Sequence, residues 1–142
     1  MAFSHYSGPV KVKWYPKKAS TAFAVGDLVY ADGSGAIQPA DSTSGDHIGI
    51  IQKKVTATDS DYASTTLVPV LVPQADTMWL ADVGTGTLTA AMVGSRYDLK
   101  DENELDVSAT AKKVVTIEKF VSASKAIVTI NAMIANADVA TT

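Results

Sequence analysis

The sequence predicts an all-β fold, a small barrel or sandwich with one short helix and extended N- and C-terminal arms. Ala, Val, Thr and Ser supply 64 of the 142 residues, against only 7 Leu. β-Branched residues fit a pleated sheet, and Leu-poor segments rarely form the core-facing stripe of a helix. Strand-like segments also recur at roughly ten-residue spacing with turn residues between them, which is typical of barrels and sandwiches. The chain contains no Cys, so its stability must come from packing or from association.

The first predicted strand is basic. It is bracketed by Pro9 and Pro16, and its residues alternate with a period of two. The first 20 residues carry four lysines and no acidic residue. The two expected faces are Val10, Val12 and Trp14 on one side and Lys11, Lys13 and Tyr15 on the other.

The next segments predict a hairpin and a longer strand. Gly26-Asp27 marks a turn before a short strand, and Asp32-Gly33 is a hairpin signal because it tolerates positive φ. Residues 39–46 are rich in Ser, Thr, Asp and Gly and predict a surface loop. A strand is expected to follow over residues 47–58.

The segment Leu67–Val72 predicts an edge strand that a second subunit covers. It is apolar on both faces, which indicates burial on both sides. Pro69 cannot donate to a ladder and therefore indicates an edge or a bulge. An edge strand whose second face is covered by a neighbouring copy satisfies both observations. The candidate subunit-interface residues are Leu67, Val68, Val70, Leu71 and Val72.

The remaining segments complete a one-domain prediction. A strand is expected over Thr77–Ala81, a short helix over Thr87–Gly94, and a terminal hairpin from Val114–Val121 and Ala126–Ile130. We divide the chain into an N-terminal arm and first strand (1–18), a β-barrel domain (19–131) and a C-terminal tail (132–142).

The residues offer no motif for catalysis, so we expect no enzyme and no cofactor. His5 and His47 stand without a partner motif, and the absence of Cys and of paired His argues against zinc. Neither a Gly-x-Ser-x-Gly elbow nor a phosphate-binding loop occurs. The scattered aromatic residues, with Trp14 and Trp79 in strand patterns, are expected to pack in the core.

The acidic segment 98–106 leaves two interpretations open. Its carboxylates could gather a hard cation, but Asp106 stands where a calcium loop requires Gly, so a solvated turn is favoured. A net charge of -3 argues against a nucleic-acid-coating protein. We find neither a signal peptide nor an apolar run of about 18 residues, and expect a protein made in the cytoplasm that contacts no membrane.

The order of several short phrases is similar to that of a known family. These phrases are Ala24–Tyr30, Asp32–Ala40, His47–Ile51, Val93–Leu99 and Leu105–Ser108. In this order they resemble the capsid cement, or head decoration, proteins of tailed bacteriophages. The resemblance spans about residues 20–130.

The resemblance implies a structural role on the virion. Such proteins are compact domains, so the resemblance implies a small β-barrel or β-tulip-like domain; they bind the outside of the expanded head, often as trimers, and hold adjacent major capsid proteins together. It therefore implies synthesis in the host cytoplasm, a place on the outer capsid surface, a homo-oligomer with a trimer favoured, and no nucleic-acid or membrane partner. An N-terminal arm commonly becomes ordered on the capsid in this family. The corresponding contact candidates are Phe3, His5, Tyr6, Lys11, Lys13, Lys17 and Lys18.

Two other classes remain open. One is a different virion component, such as a tail-tube or head-fibre protein, which would differ from a cement protein in copy number. The other is a carbohydrate-binding β-sandwich, for which Trp14 and Trp79 are the candidate aromatic residues.

Overall fold

Eleven strands in two sheets form the part of the chain that the computed structural model describes, residues 3–74 and 76–131. The predicted all-β class and the small barrel are confirmed. The strands are β1 (Ser4–Ser7), β2 (Val10–Pro16), β3 (Leu28–Ala31), β4 (Ile37–Pro39), β5 (His47–Ile51), β6 (Leu67–Pro73), β7 (Met78–Thr85), β8 (Arg96–Leu99), β9 (Glu104–Asp106), β10 (Val115–Ser122) and β11 (Lys125–Ile130).

The first sheet closes on itself into a five-stranded ring, which we call the barrel. Its order is β7-β11-β10-β8-β9, and a parallel pairing between β9 and β7 closes it, with Val83 opposite Leu105. Strand β1 pairs with the earlier part of β7, placing Ser4 opposite Leu80. Alternate residues such as Trp79 and Ile117 are fully buried in the barrel core. Closure gives every strand of the ring a partner on both edges.

The other five strands form what we call the second sheet, in the order β2-β6-β5-β3-β4. A single parallel bridge between Lys17 and Ile37 joins its two outer strands. Its alternating residues serve two cores, because Ile50 packs with the barrel core while Ile51 belongs to a second apolar cluster. All five residues of β5 are therefore buried.

A glycine sets the close approach of two strands in the second sheet. A Cβ atom on Gly49 would lie 2.1 Å from the carbonyl oxygen of Leu71. No side chain fits at that distance, so only glycine permits β5 to lie this close to β6.

The prediction of β6 as an edge strand is wrong. It lies between β2 and β5, and Pro69 stands opposite Trp14. The ladder of β5 and β6 pairs only Ile50 with Leu71 and Ile51 with Val70. Pro69 lies beyond these pairs, and its carbonyl accepts a hydrogen bond from the Gln52 amide at 2.9 Å. Its missing N–H therefore removes no bond from the paired stretch.

The helix predicted over Thr87–Gly94 is only a 3-10 turn at Ala90–Met92. Two turns of helix offer too few hydrogen bonds to offset the cost of nucleation. Gly94, with φ of 88°, then directs the chain into β8, and its amide donates to the Ile117 carbonyl at 2.7 Å.

The predicted N-terminal arm is largely part of the folded domain, whereas the predicted C-terminal tail is not described by the structure. The N-terminal segment contains β1, which pairs with β7, and Phe3, which is buried in the barrel core. The predicted tail, residues 132–142, lies outside the described residues. The predicted terminal hairpin is confirmed as β10 and β11.

Candidate docking surface

Strand β2 lies at an outer edge of the second sheet and is exposed along most of its length. Trp14 is 60% exposed and Val12 57%. Trp14 stands opposite Pro69 and Pro16 opposite Leu67, so these side chains share one face. Leu67 is 58% exposed as well. We call the surface formed by Val12, Trp14, Leu67 and Pro69 the β2 patch.

Two lysines accompany the β2 patch on the opposite face of the same strand. Lys11 and Lys13 are exposed, and neither forms an ion pair within the described ranges. Along an edge strand, alternate backbone amides and carbonyls point away from the sheet and remain available for pairing. Charged lysines on such an edge oppose indiscriminate pairing between copies of the chain. The strand therefore combines apolar area, positive charge and open backbone groups.

The N-terminal contact candidates separate into buried and exposed residues. Phe3 is buried in the barrel core, and Lys17 is fully buried at the end of β2. His5 and Tyr6 on β1 and Lys18 after β2 are exposed, together with the two lysines of β2. A surface contact can use the exposed five and leaves out Phe3 and Lys17.

The burial of Lys17 has a structural cause. Its Nζ donates to the backbone carbonyls of Asp61, Tyr62 and Ser64 at 2.7, 3.2 and 2.5 Å. Three acceptors satisfy all three ammonium hydrogens, which compensates for removing the charge from water. Lys17 therefore fastens the 59–66 loop to the bridge that joins the outer strands.

The predicted subunit-interface residues also face different ways. Val68, Val70 and Val72 are buried in the second apolar cluster, and Leu71 is half-buried against the barrel core. Leu67 is the exposed member of the five. The chain itself thus covers one apolar face of β6 and packs against Leu71 on the other, whereas Leu67 and the half-buried Pro69 leave apolar surface for a partner.

Asp27 is a buried carboxyl where the second sheet meets the barrel. Its side chain is 3% exposed, Oδ2 accepts from the Ala24 amide at 3.0 Å, and Oδ1 has no hydrogen-bond partner among the residues described. Burial raises the pKa of Asp27 to about 6, and the charges of Glu102 and Asp101 contribute in the same direction. This carboxyl is therefore ready to change charge near neutral pH.

A serine and a histidine meet in the interior, but not as an accessible catalytic pair. Ser44 Oγ lies 3.0 Å from His47 Nε2, and both residues are buried. The same hydroxyl also lies 3.0 Å from the Asp41 carbonyl, to which it donates. The exposed His5 lies 2.8 Å from the Gly8 carbonyl through Nε2. These contacts fix local turns, and a substrate cannot reach the buried hydroxyl.

The acidic segment uses several of its carboxylates in local turns. Asp98 accepts three backbone amides, while Asp101 accepts the Asn103 amide at 3.0 Å and Asp106 the Ser108 amide at 2.9 Å. Within residues 3–74 and 76–131, no group of three His, Asp or Glu side chains is placed to hold a metal ion. In the same residues, no helix is long and apolar enough to cross a membrane.

The two tryptophans show what sequence reasoning missed. Both were expected in the core, yet Trp79 is fully buried and Trp14 is mostly exposed. The signal for exposure was present in the flanking Pro9 and Pro16 and in the alternating lysines, which are typical of edge strands. The strand alternation was right, but it does not reveal which face is covered.

Comparison with known proteins assigns no family, since neither a family model nor a curated protein matches the chain.

Proposed function

We propose that the chain is a structural virion protein that binds the outer surface of the expanded head of a tailed bacteriophage. In this role it stabilises the lattice of the major capsid protein. The observation that carries the proposal is the β2 patch, an exposed apolar surface on a strand with an open edge. The order of the turn and strand phrases, which resembles the head decoration proteins, supports the same function.

The mechanism is thermodynamic linkage. A protein that binds only the assembled, expanded lattice lowers the free energy of that state in proportion to the logarithm of its concentration over Kd. No covalent step is involved. The protein must be folded on its own and must offer a surface that another protein covers. A closed barrel beside a second sheet with the exposed edge strand β2 meets both needs.

The β2 patch has the composition of a protein interface. Exposed aromatic side chains at the centre of an interface contribute strongly to binding, and an open strand edge accepts an extended segment of a partner. Lys11 and Lys13 favour an acidic rim on the capsid side. We therefore place the capsid contact along β2, with Trp14 at its centre.

The test is binding to undecorated expanded heads from the virus that encodes the chain. We expect the protein to co-sediment with the heads and to raise their heat tolerance. Trp14→Ala should weaken binding by about 2 kcal/mol, or roughly 30-fold. Phe120→Ala is the matched control, because Phe120 is an exposed aromatic residue on β10 of the barrel, and it should bind normally. If the unaltered protein does not bind heads, the proposal is wrong.

Association of copies, with a trimer favoured, also stands as a proposal. Of the five predicted interface residues only Leu67 is exposed, so a contact between copies has to use further surface residues besides Leu67. Sedimentation equilibrium of the free protein and of protein released from heads gives the number of copies directly.

Two alternatives are separated by simple measurements. A tail-tube or head-fibre protein would occur in far fewer copies per particle than the capsid subunits. A carbohydrate-binding module is favoured by one observation, the exposed ring of Trp14, whereas the buried Trp79 cannot stack on a sugar. A glycan array with the unaltered chain and Trp14→Ala tests that alternative.

A further inference from the structure

A second surface feature has no part in the proposed docking along β2. An open pocket of about 470 Å³, whose lining residues are all exposed, lies beside the start of β8 and the loop that precedes β10. Its lining residues are Gly94, Ser95, Arg96, Thr110 and Lys113. The pocket belongs to the barrel, and no residue of β2 lines it.

The pocket brings together two cationic side chains without counter-ions. Arg96 is the single arginine of the chain, and neither its guanidinium nor the Lys113 ammonium forms a hydrogen bond or ion pair with any described residue. Three of the other described lysines do form ion pairs with carboxylates. Those pairs are Lys53 with Asp61, Lys100 with Glu104 and Lys125 with Asp82.

The backbone that carries Lys113 is held in place by a buried carboxylate. Asp98 is 5% exposed, and its oxygens accept the amides of Ala111, Lys112 and Lys113 at 3.1, 2.7 and 2.8 Å. Asn131 Nδ2 donates to the Lys113 carbonyl at 3.2 Å. The negative charge of Asp98 is thus directed to backbone amides and is not paired with the Lys113 ammonium.

Lys113 also adopts an unfavourable backbone conformation. Its φ is 53°, in the left-handed region that non-glycine residues rarely occupy. Such strain persists where surrounding bonds enforce it, and it concentrates at functional sites. The bonds from Asp98 and Asn131 enforce it here, so that the backbone at Lys113 is held in one conformation.

Two hydroxyls complete the lining of the pocket. The side chains of Ser95 and Thr110 form no hydrogen bond within the described part of the chain. Arginine presents a planar fork of donors that matches phosphate oxygens, and lysine adds a point charge. Two cations together with two hydroxyl donors match a dianion with several oxygens better than a carboxylate, which has one charge and two oxygens.

We propose that this pocket binds a phosphate dianion, either as inorganic phosphate or as the phosphoryl group of a small phosphomonoester. Arg96 supplies the bidentate contact, Lys113 the second charge, and Ser95 and Thr110 the neutral donors. Because the pocket is open to solvent, the group to which a phosphoryl is attached can extend outward from it. The site is independent of head binding, so either proposal can fail without the other.

The test is an NMR titration of the full chain with inorganic phosphate at constant ionic strength, with acetate as comparison and phenyl phosphate as the ester probe. We expect saturable shifts at the amides of residues 94–96 and 110–113, and weaker binding of acetate. Arg96→Gln should weaken phosphate binding about tenfold or more, and Arg96→Lys by less, because it keeps the charge and loses the fork. Lys113→Gln should weaken it to a similar extent.

Lys112→Gln provides the matched control, because Lys112 is exposed next to Lys113 and does not line the pocket. It should retain affinity within about twofold, because its charge acts on the bound anion only from outside the pocket, where solvent and salt screen it. If phenyl phosphate binds as tightly as phosphate, the site accepts phosphate esters. If only inorganic phosphate binds, the site takes the free ion. Equal losses in Lys112→Gln and Lys113→Gln would overturn the proposal.

A carboxylate of the chain itself is the remaining occupant to exclude. Asp138 is the one side-chain carboxylate that follows Asn131 in the sequence. If the unaltered chain binds no phosphate and Asp138→Asn does, the pocket serves that carboxylate and the proposal is wrong. Absence of saturable binding in both proteins overturns it as well.

Discussion

The barrel and the second sheet differ in how they deal with the unpaired backbone groups at the edges of their strands. In the barrel, the parallel pairing of β7 with β9 gives each strand of the ring two neighbours. In the second sheet, one bridge between Lys17 and Ile37 joins the outer strands, and β2 keeps an open edge over most of its length. The difference indicates that the two regions have separate roles: the barrel provides a rigid core, and the open strand β2 provides a surface for a partner.

The two tryptophans test this division with the largest expected effect. Trp79→Ala should lower the free energy of unfolding by about 3–5 kcal/mol, because it leaves a cavity in the barrel core. Trp14→Ala should change it by less than about 0.5 kcal/mol, because the side chain is mostly exposed on β2. Urea unfolding of the three proteins measures both values. Equal destabilisation would show that β2 is part of the core rather than a free edge.

Lys17 tests how firmly the second sheet is closed. Lys17→Met keeps the length of the side chain but removes the ammonium donor from three carbonyls, of which those of Asp61 and Tyr62 keep a backbone amide donor and that of Ser64 keeps none among the described residues. We expect a loss of about 2–3 kcal/mol, since buried acceptors that lose a charged partner are costly. Lys18→Met is the matched control on an exposed neighbour and should stay within about 0.5 kcal/mol. A neutral effect of Lys17→Met in urea unfolding would mean that the loop is held by other contacts.

Local patterns in the sequence were enough to predict much of the fold. The alternation from Val10 to Tyr15 gave β2, and the short turn between β10 and β11 gave the terminal hairpin, because both depend on neighbours close in the chain. The position of a strand within its sheet depends on distant partners instead. Pro69 therefore predicted an edge at β6, whereas the pairing of β2 and β5 on either side makes β6 an interior strand.

The candidate site was predictable only in part for the same reason. Lys17 reads as one lysine of a basic segment, and nothing local shows that carbonyls 44 to 47 residues away converge on its ammonium. Arg96 and Lys113 are separated by a strand and a loop, so their shared pocket is also a product of the fold. By contrast, the basic character of β2 is visible directly, and the exposed Lys11 and Lys13 bear on the predicted contact.

Asp27, which lies where the second sheet meets the barrel, has a carboxyl that changes charge near neutral pH. Next to Asp27, the Leu28 amide donates to the Glu102 carbonyl at 2.8 Å, and Asp41 forms a bridge with Asp101. The acidic side chains around Asp27 are thus those of Glu102 and Asp101 from the barrel side. Asp27 therefore reports on how closely the barrel and the second sheet are joined.

The pH dependence of stability gives the smallest of the three effects. The pKa of Asp27 rises from 3.8 to about 6 in the folded chain, so the folded state binds its proton more tightly than the unfolded state. The contribution of Asp27 to the free energy of unfolding is therefore most favourable below about pH 4. It falls by about 1–2 kcal/mol, after allowance for solvent screening, as the pH rises through 6. Asp27→Asn should remove this decline between about pH 4.5 and pH 7 in urea unfolding. Asp32→Asn should retain it, because bonds from Ser34 lower the pKa of Asp32 and place its titration below that range; a decline that persists in Asp27→Asn would assign it to another group.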